Sequence, residues 1–105
     1  MMLLTQAIRK KLPKLYSQEK NPNALAIVKF FDPTGSFTWF ATEFDGEDLF
    51  FGKVFSQQCP EGEFGNFRLS ELLNCKQGQR GLGALPIERD RYFRPKSINE
   101  INQRT

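Results

Sequence analysis

The chain has 105 residues, a formal net charge of +3 and an isoelectric point near 9.0, and this length fits one domain. It contains no histidine, which excludes Ser-His-Asp and Cys-His mechanisms and histidine-bearing zinc sites built within one chain. Its two cysteines form no CxxC pair and no complete catalytic motif is present, so we expect no catalytic residues, no metal and no small-molecule cofactor.

The first predicted element is a helix over residues 6–12, with Ile8 and Leu12 on its apolar side. Thr5 is a suitable N-terminal cap, because its hydroxyl can accept a hydrogen bond from a first-turn N–H group. Pro13 interrupts the helix, because proline cannot donate the backbone hydrogen bond that a helix needs. The chain therefore opens with one short helix.

Three short runs of β-branched and aromatic residues follow and predict an antiparallel meander. Asp-Pro-Thr-Gly at residues 32–35 favours a tight turn between the first two strands. Asp45-Gly46 is a strong hairpin signal between the second and third strands. The three strands are predicted over residues 25–31, 37–44 and 49–55.

The remainder of the chain predicts shorter elements. These are a strand over residues 65–69, a helix that Ser70 caps and that ends at Leu73, a loop over 76–86, an extended segment over 87–94, and a terminal helical turn that Ser97 caps with Ile98 and Ile101 inward. The predicted fold is α+β: a three-strand meander plus one or two short strands, an N-terminal helix and short C-terminal helical segments. We expect a single domain over residues 3–101 and a frayed tail over 102–105.

Both faces of the predicted sheet are partly aromatic. In the second strand, strict alternation places Trp39, Ala41 and Glu43 on one face, and Phe40 and Phe44 on the other. Either helices and loops cover both faces, or one face is an exposed aromatic platform. In the second case Trp39 is a candidate binding residue.

Four carboxylates lie within six residues around the second predicted turn: Glu43, Asp45, Glu47 and Asp48. Oxygen ligands of this kind suit Mg²⁺ or Ca²⁺, although the spacing does not match an EF-hand loop. Hairpin turns also favour Asp and Gly for conformational reasons alone. The sequence is therefore compatible both with a solvated turn and with a metal or partner site.

A second charged group follows near the C-terminus, in the order Glu88, Arg89, Asp90, Arg91, with Arg94 close by. Arginine can bind a carboxylate or a phosphate through paired hydrogen bonds and can stack on an aromatic ring. The group can anchor the C-terminal segment through internal ion pairs, or it can present arginines to a phosphate.

Charge is distributed unevenly along the chain. Residues 1–31 carry a net charge of +5, residues 32–71 carry −6 and residues 72–105 carry +4. If the two basic ends fold onto one side, the protein has a positive and a negative face; otherwise the ends simply pair with the middle. The basic side chains of the ends include Arg9, Lys10, Lys11, Lys14, Arg80, Arg91, Arg94 and Lys96.

Four sequence segments resemble the domain of unknown function 2958 family: LLTQAIRKKLPKLYSQE, VKFFDPTGSFTWFATEFDGEDLFFG, GNFRLSEL and LPIERDRYFRPKSINEI. The resemblance covers residues 3–101 and implies that residues 42–52 and 86–95 are family hallmarks. It also implies a small bacterial protein carried by plasmids, phages or other mobile elements, with no assigned activity.

The expected function is that of a non-enzymatic accessory binding module of a mobile genetic element. Basic and aromatic side chains together suit a nucleic acid, whereas the acidic turn and exposed aromatic side chains suit a host protein. The alternative is a metal-dependent phosphodiester-processing enzyme that uses the acidic cluster with Glu88 or Asp90. No apolar stretch approaches the ~20 residues of a membrane span or forms a signal-peptide core, so we expect a cytoplasmic protein that does not bind membranes.

Overall fold

A computed structural model describes residues 2–74, 85–102 and 105 of the chain. Its helices are α1, Gln6–Lys11, and α2, Leu69–Leu73, and residues Ile98–Glu100 form a 3-10 turn. Its strands are β1, Leu25–Ala26; β2, Val28–Phe31; β3, Thr38–Phe44; β4, Leu49–Phe55; β5, Glu63–Arg68; β6, Glu88–Arg89; and β7, Lys96–Ser97. The α+β fold expected from the sequence is confirmed.

Five strands form an antiparallel sheet in the order β5-β4-β3-β2-β6, and β1 pairs with β7 in a separate two-stranded sheet. The predicted meander is β2-β3-β4, and the Asp45-Gly46 turn joins its last two strands. Gly46 has a φ of 91°, a conformation that glycine adopts at little cost. The single strand predicted over residues 25–31 is wrong, because Ile27 separates β1 from β2 and each joins a different sheet.

Apolar side chains cover both faces of the five-stranded sheet. The main core lies on one face and contains Leu3, Leu4, Leu12, Val28, Phe30, Ala41, Phe44, Phe50, Phe67, Leu69, Leu72 and Ile87. The second core lies on the other face and contains Ala26, Phe40, Phe55, Ile98 and Ile101. The predicted inward positions of Ile98 and Ile101 are therefore confirmed. Within the main core, Phe50 stacks between Phe44 and Phe67, with ring centroids at 4.5 and 5.1 Å.

A β-bulge interrupts β3 and changes the faces of its last residues. Ala41 pairs with Gly52 and Glu43 pairs with Phe51, so Thr42 is the extra residue. Its hydroxyl donates to the carbonyl oxygen of Phe51 at 3.1 Å. The strict alternation expected here is wrong, because the bulge places Phe44 in the main core and turns Glu43 to the opposite face.

The predicted Ser70 cap is wrong. The cap residue of α2 is Arg68, and Ser70 lies inside the helix, where its N–H and hydroxyl both donate to the carboxylate of Asp48. Ser97 is the N-cap residue of the 3-10 turn, as predicted, but its buried hydroxyl has no hydrogen-bond partner among the described residues. The Thr5 cap is confirmed, because its hydroxyl oxygen accepts from the Ile8 N–H at 3.2 Å.

The C-terminal extended segment is shorter than expected. Only Glu88–Arg89 form a strand, after which residues 90–93 turn, with the Phe93 N–H donating to the Asp90 carbonyl at 3.3 Å. Arg80 and all but the last two residues of the predicted 76–86 loop lie outside the described residues. The single domain over residues 3–101 and the frayed tail stay predictions.

Candidate functional site

The first residues of the chain contact the C-terminal segment at the β6 edge of the sheet. Arg89 Nη1 donates to the carbonyl oxygen of Met2 at 2.7 Å and to that of Leu3 at 3.3 Å. Leu3 and Leu4 are buried in the main core. Arg89 therefore connects the residues before α1 to the C-terminal segment.

A cleft of about 290 Å³ lies between α1 and the chain that follows β6. Lys11 lines it from the helix, and Arg89 and Arg91 line it from the C-terminal segment. Its remaining lining residues are Ile8, Ile27, Val28, Asp90, Phe93 and Pro95. The cleft thus combines three basic side chains with an apolar and aromatic wall.

Two further depressions, of about 370 and 330 Å³, continue from this cleft around residues 88–96. Across all three, six basic side chains of the described residues line the surface against two acidic side chains, so this side of the molecule is positive. Tyr92 lines both of these depressions and is 90% exposed. We call this the basic surface; its charged and aromatic residues are Lys11, Lys29, Phe31, Glu88, Arg89, Asp90, Arg91, Tyr92, Phe93, Arg94 and Lys96.

Some of these charges hold the segment in place. Asp90 forms an ion pair with Lys29 at 3.5 Å and accepts a hydrogen bond from the Tyr92 N–H at 2.9 Å. Arg89 is engaged by the N-terminal carbonyls. Lys11, Arg91 and Arg94 are exposed. Arg89 and Asp90 therefore have a structural role, whereas Arg91 and Arg94 are available for binding.

The acidic turn is built largely from internal hydrogen bonds. Asp45 Oδ1 accepts from the backbone N–H groups of residues 47, 48 and 49 at 2.8 to 3.0 Å, and these bonds hold the pKa of Asp45 below its usual value. The Asp48 carboxylate accepts from the Ser70 hydroxyl at 2.7 Å and from the Ser70 N–H at 2.8 Å, and the pKa of Asp48 is likewise lowered. Glu47 is exposed. Asp45 and Asp48 thus shape the turn and its contact with α2.

Glu43 does not belong to this turn. The bulge places it on the second face of the sheet, where its side chain is only 2% exposed and its Oε1 atom has no hydrogen-bond partner among the described residues. Burial raises the pKa of the Glu43 carboxyl, and the charge of Glu19 raises it further, while backbone N–H groups of Tyr16 and Gln18 act in the opposite direction.

A cavity of about 400 Å³ adjoins Glu43, and we call it the Glu43 cavity. Strands β3, β4 and β5 contribute Thr42, Glu43, Phe51 and Phe64 to it. The loop before β1 and the 3-10 turn contribute its other lining residues: Tyr16, Gln18, Glu19, Asn21, Pro22, Ala24, Ile98 and Asn99. Within the described parts of the chain, this cavity shares no lining residue with the basic surface.

The structure does not bring the acidic turn and the C-terminal carboxylates together. Glu88 pairs with Phe31, which pairs with Thr38 at the start of β3, whereas the acidic turn follows the end of that strand. A seven-residue strand is about 20 Å long, so the two groups lie at opposite ends of the sheet. Among the described residues, no group of three or more Cys, Asp or Glu side chains is placed to hold a metal ion.

Two other candidate binding residues lie away from both sites. Trp39 is half-buried, packs against the main core and stacks on Phe37 with ring centroids at 5.6 Å. Lys10 is exposed but does not line the cleft that Lys11 lines. Trp39 therefore fits a sheet whose faces are both covered better than a sheet with one exposed aromatic face.

Sequence reasoning missed the residues that surround Glu43. Tyr16 and Phe64 come from a loop and an edge strand, and neither stands near Glu43 in the chain. Lys14 forms a parallel bridge with Phe44, which places the 14–18 segment beside the end of β3. This long-range contact leaves no local signal in the sequence.

No helix in the described parts of the chain is long and apolar enough to cross a membrane. No curated protein and no solved structure matches this chain. A family model described as "Protein of unknown function (DUF2958)" matches residues 3–100, which is nearly the whole chain. The protein therefore belongs to the DUF2958 family.

Proposed function

We propose that this protein is a non-enzymatic binding module that docks nucleic acid on its basic surface. The observation that carries the proposal is the convergence of Lys11 with Arg89 and Arg91 in one cleft, from opposite ends of the chain. Lysine and arginine neutralise phosphates, and binding then releases the counterions that surround the nucleic acid.

The aromatic residues of the basic surface favour a single strand over a duplex. Tyr92 is almost fully exposed, and it lies between two exposed arginines, Arg91 and Arg94. An exposed ring flanked by cations suits an unpaired base, because the base can stack on the ring while the cations contact the backbone. Phe93 packs against Phe40 in the second core and supports this segment from beneath, with ring centroids at 5.5 Å.

A mobile genetic element is the biological setting of this proposal. It follows from the family resemblance, which implies genes carried on plasmids, phages and integrated elements. Single-stranded DNA is an intermediate in the transfer and replication of many such elements, and it offers the phosphates and unpaired bases that the basic surface suits. We therefore propose an accessory role in a mobile genetic element, with single-stranded DNA as the ligand.

The test is a fluorescence anisotropy titration of labelled single-stranded and duplex oligonucleotides over a series of salt concentrations. We expect binding at micromolar protein, tighter for the single strand, with an affinity that falls steeply as salt rises. Charge reversal at Lys11, Arg91 and Arg94 should remove binding; Arg89 is left intact because it anchors the N-terminal residues.

The matched control reverses Lys14 and Lys20, which are exposed and lie outside the basic surface. A K14E/K20E variant should bind almost as well as the unaltered protein, whereas K11E/R91E should not, although the two variants have the same net charge. Equal losses in both would show that only total charge matters and would overturn the proposed site. No salt-dependent binding at all would overturn the nucleic-acid function.

In that second outcome a host-protein partner becomes the better hypothesis. It predicts capture of a partner from host lysate, lost in a Glu47→Lys variant. Glu47 is the suitable position, because Asp45 and Asp48 are needed by the turn and by α2. The metal-dependent enzyme has no specific observation in its favour, since its carboxylates lie at opposite ends of the sheet.

A further inference from the structure

The Glu43 cavity carries a second inference, independent of the basic surface. Among the described residues, its lining includes two carboxylates, Glu19 and Glu43, and no lysine or arginine. No described basic residue forms an ion pair with Glu43. The backbone N–H groups of Tyr16 and Gln18 interact with the Glu43 carboxylate, but its Oε1 atom has no hydrogen-bond partner among the described residues. Buried polar atoms are normally hydrogen-bonded, so Oε1 is an unfilled acceptor beside an open cavity.

Aromatic rings form part of the same cavity. Phe51 and Phe64 stack at 6.2 Å between ring centroids, and Tyr16 lines the cavity from the loop before β1. The face of an aromatic ring attracts a cation, and the Nζ of Lys53 already lies 5.3 Å from the Phe64 centroid. Aromatic rings recognise organic ammonium ligands through their faces, and a carboxylate beside the rings adds a charge-assisted hydrogen bond.

From this geometry we infer that the Glu43 cavity binds an alkylammonium or guanidinium cation, with Glu43 as its counter-ion and Tyr16, Phe51 and Phe64 as its aromatic wall. The volume of about 400 Å³ lies within the range of small-molecule sites. The N–H groups of such a cation can donate to Oε1, which supplies the missing partner.

The rim of the cavity is held in place before any ligand binds. Asn99 Nδ2 donates to the carbonyl oxygen of Pro22 and to Asn23 Oδ1, which connects the 3-10 turn to the loop. Asn21 Nδ2 donates to Gln18 Oε1 at 3.0 Å. Tyr16 has a φ of 64°, a left-handed conformation that is uncommon for a tyrosine and that surrounding contacts must maintain. A pre-formed rim lowers the ordering that binding requires.

The experiment is isothermal titration calorimetry with agmatine, which carries both an ammonium and a guanidinium group, against the uncharged analogue 1-butanol. The unaltered protein should bind agmatine and should not bind butanol. A Glu43→Gln variant keeps the shape of the side chain and removes its charge, and it should weaken agmatine binding at least tenfold. Glu47→Gln is the matched control, because that glutamate is exposed in the neighbouring turn and should have no effect.

A Phe64→Ala variant tests the same site independently if the Glu43→Gln variant does not fold. Phe64 is 57% exposed, so its loss should spare the fold while it weakens agmatine binding severalfold; Phe64→Tyr should restore binding. Absence of agmatine binding to the unaltered protein would overturn the inference. So would equal binding by the unaltered protein and by Glu43→Gln.

A second titrant identifies the source of the cation. N-acetyl-arginine amide has the arginine side chain with its backbone blocked, as it is within a protein. Binding of both titrants would indicate that the cavity receives an arginine from a partner chain, whereas binding of agmatine alone would indicate a free small molecule. Failure of both titrants rejects the cation site and leaves the nucleic-acid proposal intact, because no described residue lines both sites.

Discussion

Arg89 and Met2 are separated by 87 positions in the chain, yet the Arg89 side chain donates to the Met2 carbonyl oxygen at 2.7 Å. The same Nη1 atom also donates to the Leu3 carbonyl oxygen, so one side chain connects the N-terminal residues to the C-terminal segment. The contact joins the residues before α1 to the segment whose arginines line the cleft with Lys11, whereas Arg9 donates to the Gly46 carbonyl oxygen of the acidic turn.

Replacing Arg89 with Gln should therefore destabilise the fold. The loss of charge-assisted hydrogen bonds to two carbonyls should cost about 1–3 kcal/mol in the free energy of unfolding, measured by urea denaturation. Arg94→Gln removes an exposed arginine from the same segment and should change the free energy of unfolding by less than about 0.5 kcal/mol. Equal effects of the two variants would show that Arg89 has no anchoring role.

Gly52 should not tolerate a side chain. It pairs with Ala41 next to the bulge, and a Cβ atom at Gly52 would overlap the carbonyl oxygen of Phe40. Gly52→Ala should lower the free energy of unfolding by more than about 3 kcal/mol, because only movement of the backbone relieves the overlap. Gly65→Ala is the matched control in the neighbouring strand, where a Cβ atom meets nothing within 4 Å, and it should stay within about 1 kcal/mol. Similar stabilities for the two variants would refute the close approach of β3 and β4.

Asp45 should make stability depend on acid pH. The pKa of Asp45 in the folded protein lies below its unfolded value of about 3.9. Its contribution to the free energy of unfolding is therefore complete above the unfolded pKa and is lost as the pH falls through the folded pKa. Asp45→Asn should therefore be less stable than the unaltered protein at pH 7, and the difference should shrink below about pH 4. Urea midpoints at several pH values measure it, and a difference that stayed constant with pH would argue against the three backbone hydrogen bonds.

Glu43 should have the opposite pH dependence. Its folded pKa lies above the unfolded value of about 4.3, so the charged carboxylate destabilises the fold at high pH, and this penalty is relieved as the pH falls through the folded pKa. Glu43→Gln should be more stable than the unaltered protein at pH 8, and its advantage should decline towards pH 4. Thermal melting across this range measures the effect; a variant that is less stable at pH 8 would contradict it.

The sequence was sufficient for the second and third strands of the meander and for the turn between them. Asp45-Gly46 predicts the hairpin from local chemistry, because Asp45 accepts the turn's N–H groups and Gly46 takes the positive φ. The bounds of β4 are those predicted, since its run of aromatic and β-branched residues is bordered by turns. Elements with such local signals need no tertiary information.

The site was harder to predict because long-range contacts create it. A period-two pattern cannot reveal a one-residue bulge, so it assigned Glu43 to the wrong face. Asp48, rather than Ser70, accepts the first-turn N–H of α2, because a neighbouring turn supplies the acceptor. The arginines of the basic surface were identified as candidates, but only the fold shows that Arg89 anchors the chain while Arg91 and Arg94 are exposed.

The most direct test of the binding proposal is a two-dimensional ¹H–¹⁵N NMR titration of the protein with a short single-stranded DNA oligonucleotide at low salt. The proposal predicts that the amide signals of Lys11, of residues 90–94 and of Lys96 shift progressively, while those of the acidic turn and the Glu43 cavity do not. Shifts confined to either of those other regions, or no shifts at millimolar DNA, would contradict docking on the basic surface.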